Sequence, residues 1–484
     1  MSGVGCPENP THDSHAITLR DLLTMGAGWP QDDPWADRQV YLHDTALSAL
    51  LHAGVTFSNA PGVAFEYSNL GYMVLGRVIT HATGIPAIAY INQAILRPLG
   101  MMSTCWNPDD VAPEQLAHGY NWRDGEWLEE DLLPSGGDVA GFGGIFSSVR
   151  DLAHWVGLFQ SAWPARNEPD GGLLRRSSLR EMQQGARIRS VDIASAAIDQ
   201  PMTALFGCYA MGLVETRNGR WTAVGHSGGL PGFGSHMRWA PEYGVGIIGL
   251  ANSTYAGMHE ACRRALDCLI DRSGAQPRCW APAQALGAAR EAVNSLLTAW
   301  DDDLADALFA SNFFQDESRE RWRNRLSALR NRHGALKSQD AFEIENWLRG
   351  RWRVAGERGW CDIALTLTPT VPPRVQEMEI SSTLPPAPAM LAAGQQLADL
   401  INHPTWRSLA RLVAPAAERE RVWDQVRIAN ILYGPVTLDE TVAGDGDACA
   451  ILCFTGAKGA VEAELVVDAA RRRFTKIELR PVRN

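Results

Sequence analysis

Lysine is almost missing from this chain. Of its 44 basic residues only Lys337, Lys458 and Lys476 are lysines, so residues 1–336 carry no ammonium side chain. Arginine keeps its proton in proteins, and none can stand in for a lysine that accepts one. A basic excess is missing too: 44 basic against 55 acidic residues leave a net charge of −11. That balance argues against nucleic-acid and membrane-surface roles, which call for clustered positive charge. No apolar run approaches the ~18 residues that span a bilayer, and the first thirty residues lack the basic-then-apolar order of a secretory signal. A cytoplasmic chain without membrane contact is the expectation. The nine cysteines are odd in number and show neither CxxC nor paired Cys/His spacing, which reads as buried or reduced thiols. His118, His154 and His236 have no second ligand at metal spacing, so no metal and no cofactor are implied. What is present is 484 residues, 45% hydrophobic and 20% charged, too apolar for disorder and too long for one core, so two or three domains are expected.

From Ile17 to Met25 the run ITLRDLLTM predicts a short amphipathic helix closed by Gly26 and Gly28, behind a leader or linker at 1–16. A second helix follows the Pro61-Gly62 turn, with Asn69 as its cap, Tyr72, Leu75, Val78 and Ile79 as its apolar face, and Thr83-Gly84 as its end. Pro86 opens another, and a glycine cluster at 141–148 leads into the helix DLAHWVGLF. Between Trp221 and Asn252 the period drops to two, which predicts an antiparallel meander followed by the helix HEACRRALDCLIDR. A Pro/Ala-rich break at 276–284 marks a domain boundary. Beyond it the chain reads as a duplication: GERG at 356–359 and GAKG at 456–459 stand 100 residues apart, each copy placing helices before strands. The tryptophans between arginines at 321–323 and 351–353 read as packing and stacking, not base recognition.

Two stretches carry chemistry-bearing residues. In Tyr67-Ser68-Asn69 a phenol stands just before a helix N-terminus, whose dipole favours phenolate or a proton relay; the plain alternative is a tyrosine packed beside a cap. The run GHSGG at 225–229 satisfies G-x-S-x-G and raises Ser227 as the nucleophile of a strand-to-helix elbow. The following Leu-Pro-Gly-Phe-Gly cannot start a helix, so a strand edge is the better reading, with His226 pointing into a cleft and glycine letting a backbone N–H approach a developing oxyanion. A glycine-rich hairpin with a solvent-facing histidine is the alternative.

Five segments in order, ITLRDLLTMGAG, PGVAFEYSNLGYMVLGRVITHATG, LRPLGM, GGIFSSVRDLAHW and GHSGGLPGFGSHMRWAPEYGVGIIGLANS, resemble the serine β-lactamase-like hydrolases: class C β-lactamases, D-alanyl-D-alanine peptidases, D-aminopeptidases and esterases. The resemblance covers residues 14–272. It implies an α+β fold with an antiparallel sheet flanked by helices, in a domain at 1–275, followed by α+β modules at 285–384 and 388–484 whose pattern resembles the NTF2-like type. By the same resemblance Tyr67 matches the proton-transferring tyrosine of a Y-x-N motif and Asn69 the residue that positions ligand amides. His226 takes the first place of the K-T-G/H-x-G strand motif, with Ser227 and Gly228 beside it on the substrate side, and Gly229 falls where an oxyanion-hole N–H is expected. The family's nucleophile lies in a Ser-x-x-Lys helix upstream of ITLRDLL, and residues 1–484 contain no such pair. Only Lys458 has a hydroxyl three residues earlier, at Thr455, in a hairpin of the last module. A truncated hydrolase, a pseudoenzyme and a split enzyme remain open. The implied function is ester or small-peptide-amide hydrolysis through an acyl-enzyme, inactive in these residues for want of the nucleophile. The alternative is a non-catalytic binding or scaffolding protein. The implied partner is a small ester, amide or peptide, with room for a homo-oligomer formed through the C-terminal modules.

Overall fold

The structure is a computed structural model that describes residues 10–194, 203–218, 221–278, 283–414, 416–445, 448–468 and 473–482. Cys6, Cys279 and the first nine residues of the expected leader lie outside them. The chain divides into two compact units, one of residues 1–194 with 202–278 and one of 195–201 with 279–484.

In the first unit Thr18 and Asp21 form a capping box that starts α1 (Leu19–Leu23). This helix is shorter than the sequence pattern implies, because Met25 turns to a positive φ of 55° and ends it. After α2 (Asp33–Ala36) and α3 (Asp44–Ala53), α4 (Asn69–Thr83) ends on Gly84 in the left-handed conformation and is followed by α5 (Ala87–Ile91). The cap of α4 is Ser68, not Asn69. The Asp32 carboxylate also seals that terminus, accepting the amides of Asn69 at 2.7 Å and Leu70 at 2.8 Å, so a residue 37 positions upstream shifts the helix start by one. Leu22, Trp29, Leu47, Met73 and Val74 close the core of this helical layer.

A hairpin of β1 (Gly119–Arg123) and β2 (Glu126–Glu130) turns on Asp124 and Gly125, both at positive φ. Then come α6 (Val149–Gln160), α7 (Arg176–Met182) and a six-stranded antiparallel sheet. Its strands in spatial and chain order are β3 (Arg187–Ala194), β4 (Thr203–Tyr209), β5 (Val214–Arg217), β6 (Thr222–Leu230), β7 (Phe233–Ala240) and β8 (Val245–Ala251). Alternation along β6 sends Val224 toward Val156 and Phe159 of α6, and Ala223 toward Leu266 and Ile270 of α8 (Met258–Ser273). Helices thus cover both faces of the sheet.

The second unit repeats one plan. The helices α9 (Gln284–Thr298), α10 (Asp302–Leu308), α11 (Phe313–Asp316) and α12 (Arg319–His333) precede β9 (Lys337–Asn346), β10 (Arg349–Ala355), β11 (Trp360–Leu367) and β12 (Val375–Thr383). Then α13 (Pro388–Asn402), α14 (Trp406–Leu412) and α15 (Arg419–Tyr433) precede β13 (Val436–Gly444), β14 (Cys449–Gly456), β15 (Gly459–Asp468) and β16 (Arg473–Pro481). Phe309 bridges Val375 in the first copy as Val413 bridges Phe474 in the second. All eight strands form one sheet, whose halves meet where β12 runs parallel to β13 with Thr383 opposite Gly444. Each half keeps its own core, around Trp322, Leu326 and Ile363 in one and Val422, Leu452 and Phe454 in the other. The other face of the first half is charged, with Arg351 paired to Glu343 and Arg353 to Asp362 across strands.

Among the described residues no single helix is long and apolar enough to cross a membrane.

Candidate active site

β6 carries the motif GHSGG through its second half. His226 and Ser227 are successive strand residues and so leave the sheet on opposite sides. The imidazole of His226 lies face to face with the Tyr67 ring, centroids 6.2 Å apart and planes at 27°. Both meet the edge of Tyr209, at the end of β4, with centroids 6.0 Å from each. The sheet therefore brings Tyr67 and His226 together around a third aromatic residue that no local signal in the sequence singles out.

Burial is the first influence on each of these groups. It pushes the Tyr67 phenol above its ordinary range, with the Asp33 charge adding to the effect and Arg189 of β3 opposing it. Tyr67 is thus a neutral hydrogen-bond donor at physiological pH. Tyr209 is pushed up as well, again chiefly by burial. His226 is pushed down from its ordinary value, first by burial and further by Arg189, against the Ser227 carbonyl and Asp33. An imidazole so placed is a poor substitute for a permanent lysine cation.

Asn69 is buried, and its amide donates to Asp33 at 2.7 Å. Asp33 follows Asp32, whose own carboxyl is pushed up by burial despite the helix N–H groups it accepts. The sequence reading passed over both aspartates because their targets lie more than thirty residues away.

Gly229 pairs with Gly234 one step before the Leu230/Phe233 pair that closes the hairpin. In an antiparallel ladder next to a two-residue turn, that position turns its N–H away from the partner strand. It therefore points along the edge of β6 beyond the β5 pairing, which stops at Gly225. A side chain at Gly229 would put its Cβ 2.5 Å from the ring of Tyr255. Tyr255 itself adopts a positive φ of 50°, and its hydroxyl donates to Asp37 at 2.6 Å. Burial pushes the Asp37 carboxyl up to about 6. Tyr255, clamped to a buried acid, thus packs on the face of β6 that Gly229 leaves without a side chain. Gly228 sits opposite Ser235, whose Oγ would lie 2.5 Å from a Cβ there.

Ser227 faces α8, and its hydroxyl lies 2.9 Å from Nδ1 of His236, its neighbour across the ladder. The pair does not make an activated nucleophile. Burial, with the charges of His259 and Arg238 behind it, pushes His236 down to about 3, so it cannot hold a proton taken from serine near neutral pH. Its Nε2 is buried with no hydrogen-bond partner among the described residues, so no carboxylate orients the ring. The strand also runs on through Ser227 to Leu230 with no helix after it, as the glycine-rich sequence implies. Among the described residues no group of three His, Cys, Asp or Glu side chains fits a metal ion.

A family model described as Beta-lactamase matches residues 6–269, more than half of the chain. The chain belongs to the beta-lactamase family. Among curated proteins it is 25% identical over 250 residues to the D-alanyl-D-alanine-carboxypeptidase/endopeptidase AmpH of Escherichia coli (strain K12), covering 49% of this chain and 59% of that one. It is 28% identical over 250 residues to the protein flp of Staphylococcus aureus, covering 50% and 45%. Among solved structures it is similar to a D-stereospecific amidohydrolase from Streptomyces sp., at 23% identity and a TM-score of 0.40 over 55% of this chain and 76% of that one. The chain spans about half the length of the curated relatives it matches.

Proposed function

We propose that the first unit supplies the proton-relay and oxyanion half of a serine acyl-transfer site that hydrolyses esters or small-peptide amides. The observation that carries this reading is the pairing of Tyr67 with His226 beside the free edge of β6 where the Gly229 N–H points. In the reaction a serine Oγ, deprotonated by a lysine amine, bonds to the substrate carbonyl carbon. The oxyanion is held by the Gly229 N–H and the serine's own N–H, and the leaving alcohol or amine takes its proton through Tyr67. Water then cleaves the acyl-enzyme. Asn69, tied to Asp33, positions the amide of the substrate's acyl side, and Gly228 leaves room for it beside the strand.

Residues 1–484 hold no Ser-x-x-Lys pair, so the reading assigns them no turnover of their own. The test compares p-nitrophenyl acetate hydrolysis by residues 1–484 with the same residues carrying the Ser-x-x-Lys segment of AmpH at their N-terminus. The first is expected to be inert. The second is expected to turn over, with a loss of about 10²-fold in kcat on Tyr67→Phe. A fused protein that folds and binds ester but never acylates would refute the reading.

For the second unit the proposal is two NTF2-like modules that pair copies of the chain. It is supported by exposed Ile428, Ile431 and Leu432 on α15, where α12 has Ala328, Asn331 and Arg332.

A further inference from the structure

We infer that Arg189 of β3 selects substrates that carry a carboxylate, as a permanent cation directed at the cluster of Tyr67, Tyr209 and His226. The register of β3 gives it that direction. Arg187 pairs with Tyr209, Ile188 with Cys208 and Ser190 with Gly207, so Arg189 is an extra residue without its own partner across the ladder, a β-bulge. Arg189 and Ser190 thus share the single opposite residue Gly207, which lies two positions before Tyr209 on β4 and therefore on the same face. Gly207 leaves them the space: a Cβ there would lie 2.7 Å from Ser190 Oγ. Charge alone would guard this edge strand against pairing; the bulge turns the Arg189 side chain toward the Tyr209 face.

The two arginines at the start of β3 differ in their commitments. Arg187 is occupied within the fold, donating to Asp21 at 2.9 Å, Thr24 at 3.0 Å and the Gly62 carbonyl at 2.8 Å. Arg189 is exposed, and among the described residues it has no hydrogen-bond or ion-pair partner. Its charge still reaches the site. It disfavours protonation of His226 and of His259 on α8, and it opposes the upward push on Tyr67 and Tyr209. The acid that bears on Tyr67 and His226, Asp33, is engaged by Asn69 at 2.7 Å. A guanidinium left over beside neutral rings pairs best with a planar anion, to which it donates two parallel N–H bonds. On the acyl-transfer reading, on which this inference rests, the substrate class is an ester or amide bearing a carboxylate on the Tyr209 side of His226.

The test uses the 484-residue chain, N-acetyl-D-alanine as the carboxylate probe and its methyl ester as the neutral control, with affinities from isothermal titration calorimetry. Wild type is expected to bind the acid at least tenfold more tightly than the ester. Arg189→Gln is expected to lose that preference with ester affinity unchanged, and Arg189→Lys, which keeps the charge, to retain part of it. Arginine stays charged and burial disfavours the His226 cation, so the preference is expected to be equal at pH 6.5 and pH 8.5. Equal acid affinity in wild type and Arg189→Gln would overturn the inference, and so would a wild type that binds acid and ester alike or binds neither. Ester binding lost together with acid binding in Arg189→Gln would overturn it as well, by making the role structural. A preference that fades between pH 6.5 and pH 8.5 and vanishes in His226→Gln would do the same, by making His226 the anchor. None of these readouts needs turnover, so a site that never acylates counts against the proposed function alone.

Discussion

Tyr67 meets the physiological pH range as a phenol. The N-terminus of α4 favours its ionised form, but burial and the charge of Asp33 outweigh that pull. In an ultraviolet titration at 295 nm the Tyr67 contribution, taken as wild type minus Tyr67→Phe, is therefore expected to be absent below pH 10; a tyrosinate appearing below pH 8 would contradict it. Asp37 gives a second test at this scale. Its folded value of about 6 stands above the unfolded 3.8, so its protonated form favours the fold. The stabilisation is complete below pH 4 and is lost as the pH rises through 6. Asp37→Asn removes that dependence, and its stability relative to wild type is expected to rise between pH 4 and pH 7 by up to about 3 kcal/mol. Urea unfolding at the two pH values measures it, and an equal offset at both would count against a raised Asp37.

Elements were legible in the sequence where their signals are local. The amphipathic pattern, the Gly84 stop and the period-two run after Trp221 each correspond to an observed element, in α4 and in β6 to β8. The cap of α4 was misplaced by one residue because Asp32, from a distant loop, competes for the same amides. The β1–β2 hairpin was overlooked although Asp124-Gly125 between Trp122 and Trp127 is a hairpin signal. Tyr67 and His226 were readable through the family motifs, whereas Tyr209, Asp37 and Tyr255 reach the site by strand pairing and loop packing that no short window encodes. Close packing of elements gives a further prediction. Gly76, inside α4, would place a Cβ 2.0 Å from the Asp138 carbonyl, where Arg77 and Thr80 also bind that aspartate. Alanine in a helix ordinarily gains about 1 kcal/mol over glycine. Here Gly76→Ala is expected to lose about 2 kcal/mol or more, read as a lower urea midpoint; a midpoint at or above wild type would show that the two segments are not in contact.

On the scale of the whole molecule the second unit carries its own cores, so residues 283–484 are expected to unfold cooperatively when expressed alone, with the circular dichroism of an α+β protein. If its modules pair copies of the chain through α15, sedimentation velocity shows a dimer or larger species for the 484-residue protein and a shift to monomer on Ile431→Glu. A monomer in both cases would contradict the pairing. The first unit holds Tyr67 and His226 on one side of its sheet and the Ser227–His236 pair on the other. The most direct test is intact-protein mass spectrometry of residues 1–484 after exposure to a fluorophosphonate and to benzylpenicillin. The expected result is an unchanged mass with both reagents; a stoichiometric adduct mapped to Ser227, or to any other side chain in these residues, would contradict the assignment of the nucleophile to a separate Ser-x-x-Lys segment.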